Sequence, residues 1–155
     1  MSKSVARVAR ALDGAGLPNT ISEPGQARTA EMAAQACGCV LDQIVKSILF
    51  TGTASGALYL FLTAGGNRIC AAKASALADE DLGRADATQV RAVTGFAIGG
   101  VAPIGHLSAP ATWADPRLLA FDTVFAAAGT PRHVFSIDPR VLMSIAQATI
   151  ADFTE

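Results

Sequence analysis

The sequence carries no excess of charge of either sign: its 155 residues include 12 lysines and arginines against 13 aspartates and glutamates, a net charge of −1. That balance excludes a protein whose whole surface grips nucleic acid, while leaving room for a local basic face, and DNA is not an expected partner. No apolar run approaches the roughly 20 residues that a spanning helix needs, so no membrane partner is expected. The opening stretch from Met1 to Arg7 leads into an arginine-bearing amphipathic segment without a continuous apolar run. A secretory signal is therefore not expected, and cytoplasm is the default location. Of the two histidines, His106 and His133, neither stands at a ligand spacing from a second histidine, cysteine or carboxylate, which makes a metal enzyme improbable. Three cysteines, Cys37, Cys39 and Cys70, cannot all pair, and Cys-Gly-Cys alone is too short for a zinc knuckle, so they read as buried or idle thiols.

What is present is a composition 51% hydrophobic and 16% charged, that of a globular chain. The length suits one domain with a real core and leaves little room for a second. Periodicity and punctuation predict a first helix over 4 to 15, closed by Gly14 and Gly16, and an extended piece over 18 to 23. On that helix Lys3, Arg7 and Arg10 fall opposite Val5, Val8 and Leu12, a solvated face or an RNA contact. Thr29 is a suitable N-cap for a second helix through Ala36, which Gly38 stops. Strands are expected at 43 to 51 and 57 to 64, joined by a glycine-rich turn, and a third at 67 to 72. Helices follow at 74 to 82 and 87 to 93, one helical turn at 116 to 120, strands at 122 to 127 and 133 to 137, and a last helix from Pro139 to about Gln147. Hairpins with irregularly interspersed helices point to an α+β fold, a single domain with a mixed, largely antiparallel sheet and peripheral helices.

Lys46 interrupts an otherwise buried strand pattern, Gln43-Ile-Val-Lys-Ser-Ile-Leu-Phe50. Alternation places it on one face with Ile44, Ile48 and Phe50, the more apolar of the two. Burying an ammonium without a partner is costly, so the residue indicates either a pocket that receives an anionic or strongly polar group or a sheet edge from which the stem snorkels to water. A second feature is the run Gly99-Gly-Val-Ala-Pro-Ile-Gly-His106. Its glycine density removes side chains from a backbone that something else must approach, and its amides could hold an ester carbonyl or a phosphate. It matches neither a dinucleotide fingerprint nor a P-loop.

Taken together, these segments resemble the YbaK/ProX family of aminoacyl-tRNA deacylases, whose fold is shared by the editing domain of bacterial prolyl-tRNA synthetases. The resemblance rests on Ala27-Arg28-Thr29-Ala30, Gln43-Ile44-Val45-Lys46-Ser47, Thr94-Gly95 leading to Gly99-Gly100-Val101-x-Pro103-x-Gly105-His106, and Ala127-Ala128-Gly129 before a penultimate strand. It covers nearly the whole chain and is nearest to the free-standing ProX-like branch. It implies that Lys46 holds the terminal adenosine phosphate or the ester, and that Gly100 orients the aminoacyl carbonyl through its backbone. Gly99, Val101, Gly105, Arg28, Thr29 and Ser136 would contribute to substrate binding, and His106 would shape the amino-acid pocket as a wall or serve as a base. Ser22 and Ser136 stand where cysteine-specific members carry a tyrosine and an aspartate.

The implied activity is hydrolysis, in trans, of mischarged aminoacyl-tRNA, foremost tRNA(Pro) bearing alanine or 2-aminobutyrate. The alternatives are a Cys-tRNA(Pro) deacylase and a non-catalytic module that binds the aminoacyl-tRNA 3′ end. Prolyl-tRNA synthetase is a further partner on this reading, and no cofactor is implied. No Ser/His/Asp order is legible, and the chemistry falls more naturally to the substrate's own ribose hydroxyl, held near the carbonyl. Trp113 and Tyr59 read as core, with adenine stacking as the alternative.

Overall fold

The computed structural model of the chain describes residues 2–155, and four of its five α-helices start where a capping side chain waits. Ser2 accepts the amide of Val5 to open α1 (Lys3–Gly14), Thr29 accepts that of Met32 to open α2 (Ala30–Cys37), and Asp86 accepts that of Gln89 to open α4 (Ala87–Thr94). Asp138 does the same for α5 (Pro139–Ile145), with Pro139 at its first position. Gly38 and Gly95, both in the left-handed region, close α2 and α4. The remaining helix, α3 (Ala71–Ala78), ends at Asp79, whose φ is 59°.

The strands are β1 (Ile44–Gly52), β2 (Leu58–Ala64), β3 (Leu82–Arg84), β4 (Ala111–Ala114), β5 (Val124–Ala127), β6 (Val134–Ile137) and β7 (Thr149–Ile150). They form one mixed sheet in the order β6-β5-β1-β2-β4-β7, with β3 paired to β1 on the side that β5 also occupies. The ladders β1·β2, β1·β3 and β5·β6 are antiparallel, and β1·β5, β2·β4 and β4·β7 are parallel. The fold is α+β in one domain, as the order of elements in the sequence implies.

Alternation along β2 divides the interior in two. Leu60 and Leu62 face a main core with Val8 and Leu12 of α1, Val90 of α4, Phe96, Val124, Phe135 and Leu142. Phe61 faces the other side with Ala74 and Phe153. Trp113 stacks on Phe61 with ring centroids 5.2 Å apart, and Tyr59 gives its hydroxyl to Glu80, so both are committed to the fold. Arg7 is committed as well: it donates to the Gly95 carbonyl at 3.1 Å and lies over the Phe96 ring, which removes it from a basic face on α1.

Two expectations need correction. Residues 67 to 72 do not form a strand. The Cys70 amide donates to the Phe153 carbonyl and the Glu155 amide to the Arg68 carbonyl, leaving an isolated bridge at Ile69 before α3 begins at Ala71. The helix expected at 74 to 82 starts and stops earlier, and Leu82 instead opens β3. Glu80 locks this region in place by accepting the Ala54 and Ser55 amides and the Ser55 and Tyr59 hydroxyls. These hydrogen bonds hold its carboxyl at about 2, well below the usual carboxylate range.

Candidate functional site

Although β1 is a central strand, it is not paired along its whole length. On one side β2 accompanies it from Val45 to Thr51. On the other, β5 pairs with Ile44 and Val45, β3 pairs from Phe50 onward, and residues 46 to 49 have no strand neighbour. The sheet therefore contains a slot, and Lys46 is the first residue at its edge. The two readings of this lysine left open by the sequence are both partly met, since it lies at a local edge inside the sheet and also lines a cavity of about 310 Å³.

The ammonium of Lys46 donates to the main-chain carbonyl of Asn67 at 2.6 Å. That carbonyl is held from behind: Asn67 Nδ2 donates to Asp115 Oδ2 at 2.8 Å, and the Ala64 amide donates to the same oxygen at 3.1 Å. Asp115 is 2% exposed, and its Oδ1 accepts the Arg117 amide. Arg117 in turn reaches Asp42, which accepts the Gly66 amide at 2.8 Å. Two carboxylates and one guanidinium thus fix the turn that presents Asn67 to the lysine. Burial pushes the Lys46 ammonium below its ordinary pKa, with Arg68 adding to the effect, while Glu31, Asp115 and Asp42 oppose it. No anion bonds the ammonium directly among the described residues, so it remains a donor for an incoming acceptor.

Opposite the lysine runs the glycine-rich loop. Gly99, at φ 93°, and Val101 line the cavity, and neither donates its amide to a protein acceptor among the described residues. The Gly100 amide is already given to the Ala97 carbonyl at 3.0 Å. Gly100 has a different importance: a Cβ there would stand 2.7 Å from Thr130 Cα, so glycine is what allows loop 99–101 to seat against loop 129–131. Arg28 and Thr29, at the start of α2, complete the rim. Ser47, the next residue along β1, has a buried hydroxyl without a partner among the described residues.

Lys46, Arg28, Thr29, Gly99 and Val101 therefore share one cavity, with Gly100 packed directly behind it. Gly105, His106 and Ser136 are not brought there. The chain turns at Gly105, φ 81°, and the His106 ring packs edge-on against Phe96, with Nε2 2.7 Å from the Ala102 carbonyl oxygen. Gly105 and His106 line a separate cavity of about 180 Å³ beside the end of α5. Ser136 lies further along β6, where Thr20 bonds both its amide and its carbonyl, and it borders a third cavity of about 250 Å³. Ser22 is spent on a bridge to Val134 along the edge of β6.

His133, which alternation alone would leave on a strand surface, lines the Lys46 cavity together with Thr130. Its Nδ1 lies 2.6 Å from Thr130 Oγ1, a hydroxyl that also accepts the Arg132 amide, and its Nε2 faces Glu23 at 3.7 Å. No local signal points to it. It shares the lysine's cavity only because β5 pairs in parallel with β1 and turns back into β6. Among the described residues no group of three or more histidines, cysteines, aspartates and glutamates is placed to hold a metal, and no helix is long and apolar enough to cross a membrane.

The arrangement combines an ammonium, open main-chain amides and hydroxyl and imidazole groups around a cleft. It can bind an anionic or ester group and polarise a carbonyl. The chain is similar in sequence and structure to several known proteins. A crystal structure provisionally named as a trans-editing enzyme for prolyl tRNA synthetase is 43% identical, with a TM-score of 0.92 over 100% of this chain and 99% of that one. The crystal structure of the hypothetical protein APE2540 is 26% identical, with a TM-score of 0.86 over 96% of this chain and 99% of its own. The uncharacterized protein YwhH of Bacillus subtilis (strain 168) is 32% identical over 114 residues, 74% of this chain and 72% of that protein. Residues 24–145 match the aminoacyl-tRNA editing domain, and the chain belongs to that family.

Proposed function

We propose that this protein is a free-standing deacylase that hydrolyses the ester of mischarged aminoacyl-tRNA in trans. The foremost substrate is tRNA(Pro) carrying a small amino acid such as alanine or 2-aminobutyrate, and residues 1–155 act as one editing domain in the cytoplasm. The observation that carries this reading is that Lys46, Gly99 and Val101 line one cavity, and that the Gly99 and Val101 amides have no protein acceptor among the described residues. The likeness to a structure named as a trans-editing enzyme for prolyl tRNA synthetase supports the choice of tRNA, and the error to be corrected follows from size: a pocket built for proline cannot strongly reject something smaller, since a missing methylene is worth only about 1–3 kcal/mol, and a second site corrects the mistake.

In the proposed reaction, Lys46 holds the terminal phosphate or the ester oxygen, and the Gly99 and Val101 amides polarise the aminoacyl carbonyl. Gly100 contributes by keeping the two loops in contact. Arg28 and Thr29 hold the substrate at the rim, and the Thr130–His133 pair forms the wall facing the lysine. The substrate's neighbouring ribose hydroxyl orients the attacking water. Water adds to the carbonyl carbon and the ester C–O bond breaks, releasing the free amino acid, while the tRNA oxygen recovers a proton.

The test is a panel of tRNA(Pro) species charged with alanine, 2-aminobutyrate, serine, threonine, cysteine and proline, scored for release of the labelled amino acid. Release of one or more small amino acids with proline spared is the expected result. Retention of the RNA without release would make the protein a binding module, and turnover unaffected by competing free tRNA would point to another small ester.

A further inference from the structure

The slot in the sheet extends beyond the Lys46 cavity. A second cavity of about 260 Å³ adjoins it, sharing Ser47, Gly99 and Val101 as a common wall. Ser47, Ile48 and Leu49 all line this second cavity, although alternate side chains of a strand point to opposite faces. Three consecutive residues on one surface means that the strand edge itself is exposed there. The direction of its polar groups follows from the hairpin. The Gly52 amide bonds Ala57 across to β2, and the Thr53 amide bonds Asp81 on the opposite side, so the odd-numbered residues of β1 turn their main chain away from β2. The carbonyl of Ser47 and the amide of Leu49 therefore point together into the slot, where neither β5 nor β3 meets them.

We infer that this second cavity is a purine subsite that reads the terminal adenine of the substrate through the open edge of β1. The inference rests on the proposed aminoacyl-tRNA reading of the adjoining cavity. On one edge of a strand, the carbonyl of a residue and the amide two positions later form a neighbouring acceptor and donor. Adenine offers the complement on its pairing edge: the N6 amine donates to the Ser47 carbonyl, and N1 accepts from the Leu49 amide. Guanine presents the reverse order, an acceptor at O6 and a donor at N1, so both contacts become repulsive. Val90 and Val101 supply apolar walls for the ring, and Ile98, 57% exposed at the mouth, is an apolar side chain that a bound base would cover. The shared wall at Ser47 and Gly99 then falls between base and ester, placing the ribose where the two cavities join.

Adenosine 5′-monophosphate, guanosine 5′-monophosphate and purine riboside 5′-monophosphate, which lacks the amine, are titrated into the protein while the Ser47 and Leu49 amides are followed by NMR. The adenine nucleotide is expected to shift both signals, and loss of the amine to weaken binding about tenfold, the equivalent of one hydrogen bond. Guanosine monophosphate should bind more weakly still. Ala85→Trp, which fills the second cavity from the end of β3, should abolish the preference for adenine. Ala85→Leu, a smaller change, should reduce it if the tryptophan variant does not fold. Equal binding of the three nucleotides, or shifts that bypass Ser47 and Leu49, would overturn the inference. These outcomes are independent of turnover: adenine preference without amino-acid release from any charged tRNA would sustain the subsite and sink the editing activity.

Discussion

Lys46 and His106 are both basic side chains taken partly out of water, and each is held by a single main-chain carbonyl, at 2.6 Å and 2.7 Å. Burial lowers the pKa of both. Their surroundings differ. The lysine stands where a strand loses its neighbour, across from open amides, with a threonine and a histidine on the facing wall. The histidine is enclosed by Phe96, Pro103, Ile104 and the end of α5, and the lining of its cavity includes Gln147 but no lysine, arginine or hydroxyl side chain. A depressed pKa therefore does not locate a site here. The convergence of several unspent polar groups on one ligand-sized space does.

The contrast breaks most sharply under substitution. Lys46→Ala should reduce deacylation by about 10²–10³-fold, the scale of losing one preorganised donor to a developing charge, and leave the melting curve nearly unchanged. His106→Gln should leave turnover within a factor of about three on the same assay, since nothing aims that ring at the Lys46 cavity. An equal loss in both variants would erase the distinction between the two cavities.

A smaller effect probes the support behind the lysine. Asp115 helps keep the ammonium charged and, through Asn67, keeps it in place. Because Lys46 acts as a cation, the rate should decline as pH rises through its lowered pKa, earlier than for a free lysine. Asp115→Asn removes a stabilising anion and should move that decline to still lower pH. A profile identical to the wild type's would limit Asp115 to a structural role.

The smallest effect concerns the histidine. The folded chain resists protonating His106, which is buried and faces Arg7, while the unfolded chain takes the proton near the ordinary value of 6.5. The unfolded state then binds more protons, so this contribution to stability is complete above that pH and is lost as pH falls below it. Thermal melts across this range should show the loss, and His106→Gln should flatten it.

How much of this was legible beforehand depended on how local each signal is. The caps at Thr29 and Gly38, the proline that opens α5, and the long alternating runs of β1 and β2, announce themselves within a few residues. The strands β3, β4 and β7, two to four residues long, exist through the partners that pair with them and carry too little pattern to be read. The same division holds in the site. Lys46 stood out against its own strand, whereas His133 joins it through pairings between distant segments, and His106 leaves because the chain turns at Gly105. The order of motifs along the chain conveyed the family without conveying which residues meet.

The most direct measurement is the binding of a non-hydrolysable 3′-aminoacylamino adenosine, followed by NMR at residue resolution. The account predicts shifts at Lys46, Gly99, Val101 and Thr130, with the signals of Gly105, His106 and Gln147 unmoved. Shifts centred on the His106 cavity, with the Lys46 cavity silent, would contradict it.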